Sequence, residues 1–177
     1  MTSPLKMRSM LKKAILIFTI LLIGIGVMVM PIQSGILLTD REGEPFYFLP
    51  WDSDEITIGW RHSVELTPWK ETYRITDEGS LSFKSTLYQS YGAGTPDVEG
   101  EVDFLENGFI QVTDIERKIA YYSLYYVSIS QYYLEENEKK YPLSQYVPEN
   151  TNVQIHYEQL QTYEWLGLKL KRINKEG

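Results

Sequence analysis

The pattern of apolar and polar positions changes character once along this chain, at Pro31. From Ala14 to Met30 seventeen consecutive residues carry no charge, and Pro31 closes the run. As a helix this run is about 25 Å long at 1.5 Å per residue, slightly short of a bilayer's hydrocarbon core of roughly 30 Å, so it spans only if its flanks help. Beyond it the period is two. Ile56, Ile58 and Trp60 alternate with Thr57 and Gly59, and Leu166, Leu168 and Leu170 with Lys169 and Lys171, which is how a strand with one buried face reads. Ile36–Thr39, Phe46–Leu49, Glu55–Arg61, Thr72–Thr76, Leu81–Gln89, Phe109–Thr113, Ile119–Ile129, Val153–Tyr157 and Leu166–Ile173 are rich in β-branched or aromatic residues and predict strands. Asp77-Glu78-Gly79-Ser80 and Glu106-Asn107-Gly108 predict hairpin connections, because Gly and Asn tolerate the positive φ that such turns need. Gln131–Lys140 has the charge and length of a helical piece or a long loop. Short strands at regular spacing predict an all-β domain over residues 36–173, an antiparallel β-sandwich or small barrel, preceded by one N-terminal transmembrane helix.

Charge gives the apolar run a direction. Lys6, Arg8, Lys12 and Lys13 lie in the basic tail, residues 1–13, with no acidic residue beside them. Basic flanks stay in the cytoplasm, so the expected topology is a single pass through residues 14–30 of a cell membrane, N-terminus inside and C-terminal domain outside. A secretory signal has a shorter apolar stretch of about 7–15 residues and a small-residue cleavage site. Met28-Val29-Met30 offers no such site and Ile32 to Ser34 only a weak one, which favours a retained anchor and leaves a cleaved signal peptide as the alternative. The chain contains no cysteine, which excludes disulfides, thiolate metal sites and a lipid-modified cysteine. Residues 31–177 carry 13 Lys plus Arg against 24 Asp plus Glu. Such a surface repels phosphate and argues against nucleic acid as a partner.

Candidate chemistry gathers in Trp60–Tyr73, W-R-H-S-V-E-L-T-P-W-K-E-T-Y. His62, Ser63, Glu65, Glu71 and Tyr73 are the candidate binding residues. In one continuous strand His62 and Ser63 point to opposite faces, which argues against a serine activated by its neighbour. A turn centred on Pro68 would set Glu65 opposite Glu71 and Ser63 opposite Tyr73, and two opposed carboxylates need a cation, a shared proton or an arginine between them. Arg61, Arg74 and Arg117 are available. In Gly92-Ala93-Gly94-Thr95-Pro96 the glycines permit a small anion-binding nest, although a tight crossover between strands uses glycine in the same way. The expected site therefore combines His62, Glu65 and Glu71 with Gly92, Gly94, Thr95 and Pro96. No phosphate loop follows the glycines, and no cofactor is expected. Asp97, Glu99, Glu101 and Asp103 alternate with Val98, Gly100 and Val102. Their spacing is not that of a calcium loop, and a charged edge strand is the favoured reading, so no metal site is expected. Tyr121, Tyr122, Tyr125, Tyr126, Tyr132 and Tyr133 are able to stack on a planar ligand, but the intervening Leu124, Val127 and Ile129 favour half-buried strand positions. His156 reads as structural or exposed.

The string W-x-H-S-V-E-x-x-P-x-x-E-x-Y, followed by G-A-G-T-P, resembles an uncharacterised bacterial family of exported domains known as a domain of unknown function. Genes of that family often sit beside the TAXI-type branch of the tripartite ATP-independent periplasmic (TRAP) solute transporters. Thr95 stands where the family usually has an aliphatic residue. The resemblance extends over roughly residues 36–172; it implies a transport-linked accessory role and no particular chemistry. The expected function is a membrane-anchored, non-catalytic binding protein for a small solute or a transporter subunit. One alternative is a small extracytoplasmic hydrolase or lyase with His62 as general base, oriented by Glu65 or Glu71. Another is a structural envelope protein.

Overall fold

The computed structural model describes residues 4–89, 100–115 and 117–176. Their strands pair, mostly antiparallel, into two sheets. The smaller sheet has the order β2 (Pro45–Pro50), β1 (Pro31–Thr39), β12 (Thr151–Gln161), β9 (Tyr122–Tyr126). In the larger, the order is β11 (Lys139–Pro142), β10 (Tyr133–Glu136), β3 (Glu55–Arg61), β4 (Pro68–Ile75), β5 (Leu81–Tyr88), β7 (Ile110–Thr113), β6 (Glu101–Phe104). β8 (Lys118–Ile119) pairs with β5 beside that path. The chain divides into two compact units, Ser34–Glu158 and Met1–Gln33 with Gln159–Gly177.

In the first of these, inward positions of both sheets build one core. Ile36, Leu38, Leu124, Val153 and Ile155 come from the smaller sheet and Ile56, Ile58, Tyr73, Leu81, Val112 and Leu134 from the larger. Their burial removes apolar surface from water at about 25 cal/mol per Å2, the main favourable contribution to folding. The pleat decides which residues take part. Ile56 pairs with Tyr73, Ile58 with Glu71 and Trp60 with Trp69, so these six share the inner face, while Thr57 meets Thr72 on the outer face through a 2.9 Å hydroxyl–hydroxyl hydrogen bond. The two predicted hairpin connections form, with Gly79 and Gly108 both at φ 80°. β6 lies at the sheet edge, all four residues exposed, as the charged-edge reading of Glu101 and Asp103 expects; Asp97 and Glu99 lie outside the described residues.

Three sequence expectations are corrected here. The segment Gln131–Lys140 is neither helix nor long loop but contributes the β10–β11 hairpin, in which Glu136 pairs with Lys139 around Asn137-Glu138. The expected strand Ile119–Ile129 is divided into β8, β9 and a 3-10 turn at Ser128–Ser130, whose Ser128 N–H donates to the Glu149 carboxylate at 2.9 Å. The hairpin after β3 is not centred on Pro68. β3 ends at Arg61, which pairs with Pro68, the first residue of β4, a position where the missing proline N–H is tolerated.

The other unit contains two helices. α1 (Pro4–Met28) includes Met10–Met28, a stretch long and apolar enough to cross a membrane. α2 (Thr162–Glu176) occupies the segment expected to hold the strand Leu166–Ile173. That segment carries both periods: the leucines alternate with lysines, while Tyr163, Leu166 and Leu170 repeat at helical spacing. Its start favours the helix. The Glu164 carboxylate accepts the Gln161 N–H at 2.8 Å, one arm of a capping box, and the Thr162 N–H donates to the Met30 carbonyl at 3.0 Å. One turn on, the Lys169 ammonium lies 3.9 Å from the centre of the Trp165 ring.

Candidate functional site

The link between β3 and β4, residues 62–67, is held by backbone and by one imidazole. The His62 N–H donates to the Thr67 carbonyl at 2.8 Å, the Leu66 N–H donates to the His62 carbonyl at 3.0 Å, and Leu66 turns the chain at φ 57°. His62 Nδ1 accepts the Glu65 N–H at 3.1 Å. A ring nitrogen that accepts carries no proton, so in the neutral ring the proton sits on Nε2. Glu65 thus acts through its backbone, its side chain exposed in the turn.

Glu71 occupies an unusual position for a carboxylate. Trp69, Glu71 and Tyr73 alternate with the outward Lys70 and Thr72, so the pleat turns Glu71 onto the apolar inner face between two buried aromatics. Tyr73 Oη donates to Glu71 Oε2 at 2.8 Å. Burial pushes the Glu71 carboxyl above its ordinary value, against the opposing pull of Tyr73, the Arg117 charge and a hydrogen bond with Tyr122. Burial and the Glu71 charge push the Tyr73, Tyr122 and Tyr132 hydroxyls upward, so these phenols keep their protons and act as donors.

Around this carboxyl lies a cavity of about 370 Å3 lined by Trp60, Arg61, His62, Ser63, Trp69, Glu71, Tyr122, Ser130 and Tyr132, a size suited to a small molecule. One run of rings forms much of its lining. Tyr132 stacks with Trp60 at 5.7 Å between centroids, Trp60 with Trp69 at 5.5 Å, and Trp69 with His62 at 5.6 Å. Trp69 is fixed by its Nε1–H donating to the buried Thr86 hydroxyl at 2.9 Å. Tyr132 reaches Trp60 because Gln131, at φ 49°, reverses the chain after the 3-10 turn. Arg61 Nε is buried and has no hydrogen-bond partner among the described residues, a condition that costs about 1–3 kcal/mol.

Of the residues read from the sequence as a candidate site, His62, Ser63 and Glu71 line one cavity, and Tyr73 supports it from behind Glu71. Glu65 does not face Glu71, and Ser63 does not face Tyr73, because β4 meets β3 further along the chain: Glu71 is opposite Ile58 and Tyr73 opposite Ile56. Gly92, Gly94, Thr95 and Pro96 lie outside the described residues. Of the arginines proposed to relieve a carboxylate, Arg117 acts on Glu71. The aromatic lining was missed, although Trp60 and Trp69 stand symmetrically about the turn, a visible sign of a cross-strand pair. His156 is half-buried on β12 with its ring 4.9 Å from that of Tyr121, and burial lowers its pKa. Among the described residues no three His, Cys, Asp or Glu side chains gather where they could hold a metal ion.

Comparison with curated proteins and with solved structures finds no match. Residues 56–143 match the family model described as Domain of unknown function (DUF1850), a span that contains every residue lining the cavity.

Proposed function

We propose that this protein is a non-catalytic solute-binding accessory, held at the outer face of a cell membrane by α1 and serving a transport system of the TAXI-type TRAP class. The observation that carries the binding role is the cavity itself. A carboxyl held on the apolar inner face, its pKa raised by burial, costs folding energy that an occupant offering it a donor or a cation would offset, and stacked rings line the same space. The transport role rests on the kinship of the Trp60–Tyr73 motif and on the apolar helix. The hydrolase or lyase alternative requires His62 to accept a proton on a nitrogen facing the substrate. In a catalytic triad Nδ1–H donates to a carboxylate and leaves Nε2 as the base. Here Nδ1 accepts from the Glu65 backbone N–H rather than donating to a carboxylate, which argues against that arrangement.

The test is a titration of the full-length protein in detergent micelles with a panel of amino acids, organic acids, amines and sugars, read by tryptophan fluorescence, since Trp60 and Trp69 line the site. Saturable quenching by at least one solute, lost in Trp69→Phe, is the expected result. No saturable response to any member of the panel would overturn the binding role.

A further inference from the structure

Charge is unevenly shared past the apolar run. α2 holds four of the thirteen Lys and Arg in residues 31–177, Lys169, Lys171, Arg172 and Lys175, but only two of the twenty-four Asp and Glu, Glu164 and Glu176. A chain that is otherwise acidic carries a basic helix here. Tyr163, Leu166 and Leu170 share one side of that helix, spaced three and four residues apart. All three are exposed, Leu170 at 62%. Lys171 stands about 100° round the helix from Leu170, at 3.6 residues per turn. The Lys169 ammonium rests against the Trp165 ring, a pairing of cation and indole that suits the boundary between lipid and water.

The start of α2 is tied to the end of the apolar run. Met30 closes that run, and its carbonyl accepts the Thr162 N–H at 3.0 Å and the Thr162 hydroxyl at 3.2 Å. Where the run leaves a bilayer, α2 therefore begins. Fifteen residues make a helix of about 22 Å, too short to cross a hydrocarbon core of roughly 30 Å. We infer that α2 lies along the surface of the membrane that α1 crosses, its Tyr163, Leu166 and Leu170 side in the acyl boundary and its lysines at anionic phospholipid head groups. This rests on the reading of α1 as a retained anchor and adds a second contact with lipid. An apolar side alone would accept many covers, but the bond to Met30 brings this one to the bilayer, and the basic residues favour an anionic surface there. The run Ala14–Met30, slightly short for a span, thereby gains an interfacial flank.

The chain has no cysteine, so a single introduced cysteine carrying a nitroxide spin label reports on one position. The full-length protein is placed in phosphatidylcholine vesicles containing about one third phosphatidylglycerol, with labels at Ile20→Cys, Leu166→Cys, Leu170→Cys and Lys171→Cys in turn. Collision with oxygen, which concentrates in lipid, is compared with collision with a water-soluble nickel complex. Oxygen should exceed nickel about threefold at Leu166 and Leu170, and by more at Ile20, while Lys171 shows the reverse. Removing phosphatidylglycerol, or combining Lys169→Gln with Lys171→Gln in the Leu166→Cys protein, should shift the Leu166 label toward water. Neither change should move Ile20. Nickel reaching Leu166 and Leu170 as readily as Lys171, with Ile20 still deep, overturns the inference and leaves the anchor standing. Leu166 and Leu170 shielded from both colliders would mean a protein cover and overturns it as well. Depth that ignores both phosphatidylglycerol and the lysine substitutions overturns the head-group assignment. All four labels in water would remove the anchor reading and the inference together.

Discussion

Glu71 is stable in its place only as long as its proton is cheap to keep. Its carboxyl is raised in the folded protein, by burial above all, so between the ordinary carboxylate value and the raised one the native state holds more proton than the unfolded chain. Stability therefore falls as pH rises through that window and stays lower above it. Glu71→Gln keeps an acceptor for Tyr73 and removes the ionisation. The variant should melt at a higher temperature than the parent at neutral pH, with the gap closing as pH is lowered past the ordinary carboxylate range; a gap that stays constant with pH would show that ionisation of Glu71 is not the cause. The same substitution is expected to cost ligand affinity, a trade common where a binding site holds destabilised groups. The composition of the site was legible in the sequence, since His62, Ser63 and Glu71 stand in one dense motif. Their arrangement was not, because it depends on where the turn lies. Pro68 looks like the apex of a turn, yet a proline serves equally as the first residue of a strand, and moving the turn to residues 62–67 changes every partner across the hairpin.

At the scale of elements the strongest local signals were read correctly and the ambiguous ones were settled by a few contacts. The β10–β11 hairpin was hidden because its two-residue turn, Asn137-Glu138, lacks the glycine that usually marks such a turn. Both residues take positive φ, 47° and 68°, the conformation in which asparagine is at ease and glutamate is strained. Glu138→Gly should therefore stabilise the protein by about 1 kcal/mol, measured by urea unfolding, with the hairpin unchanged. Loss of stability would mean that the glutamate side chain makes a contact that outweighs the backbone gain. α2 was hidden for the opposite reason. Its leucine–lysine alternation is a clear strand pattern, but the bond between Glu164 and the Gln161 N–H commits the first turn to helix, and the signal was there to be read in the spacing of Gln161 and Glu164.

For the whole molecule, the period-two pattern specified an all-β fold with an apolar helix ahead of it, while the division of strands between two sheets depends on pairings between distant segments that no local pattern encodes. The basic residues Lys6, Arg8, Lys12 and Lys13, placed before the apolar run, predict the side of the membrane on which the sheets lie. Protease added to intact protoplasts should digest the β-domain and spare the anchor, as followed by immunoblotting with antibodies to each part; full protection would reverse the proposed orientation. The order of the smaller sheet has a consequence in time. β1 is among the first strands to be synthesised, but one of its two neighbours is β12, which begins at Thr151. Until that residue has emerged from the ribosome, β1 has β2 on one edge and nothing from its own sheet on the other. A nascent chain can thus complete its larger sheet while the smaller one still waits for its closing strand, and a chain cut short at residue 150 never closes it.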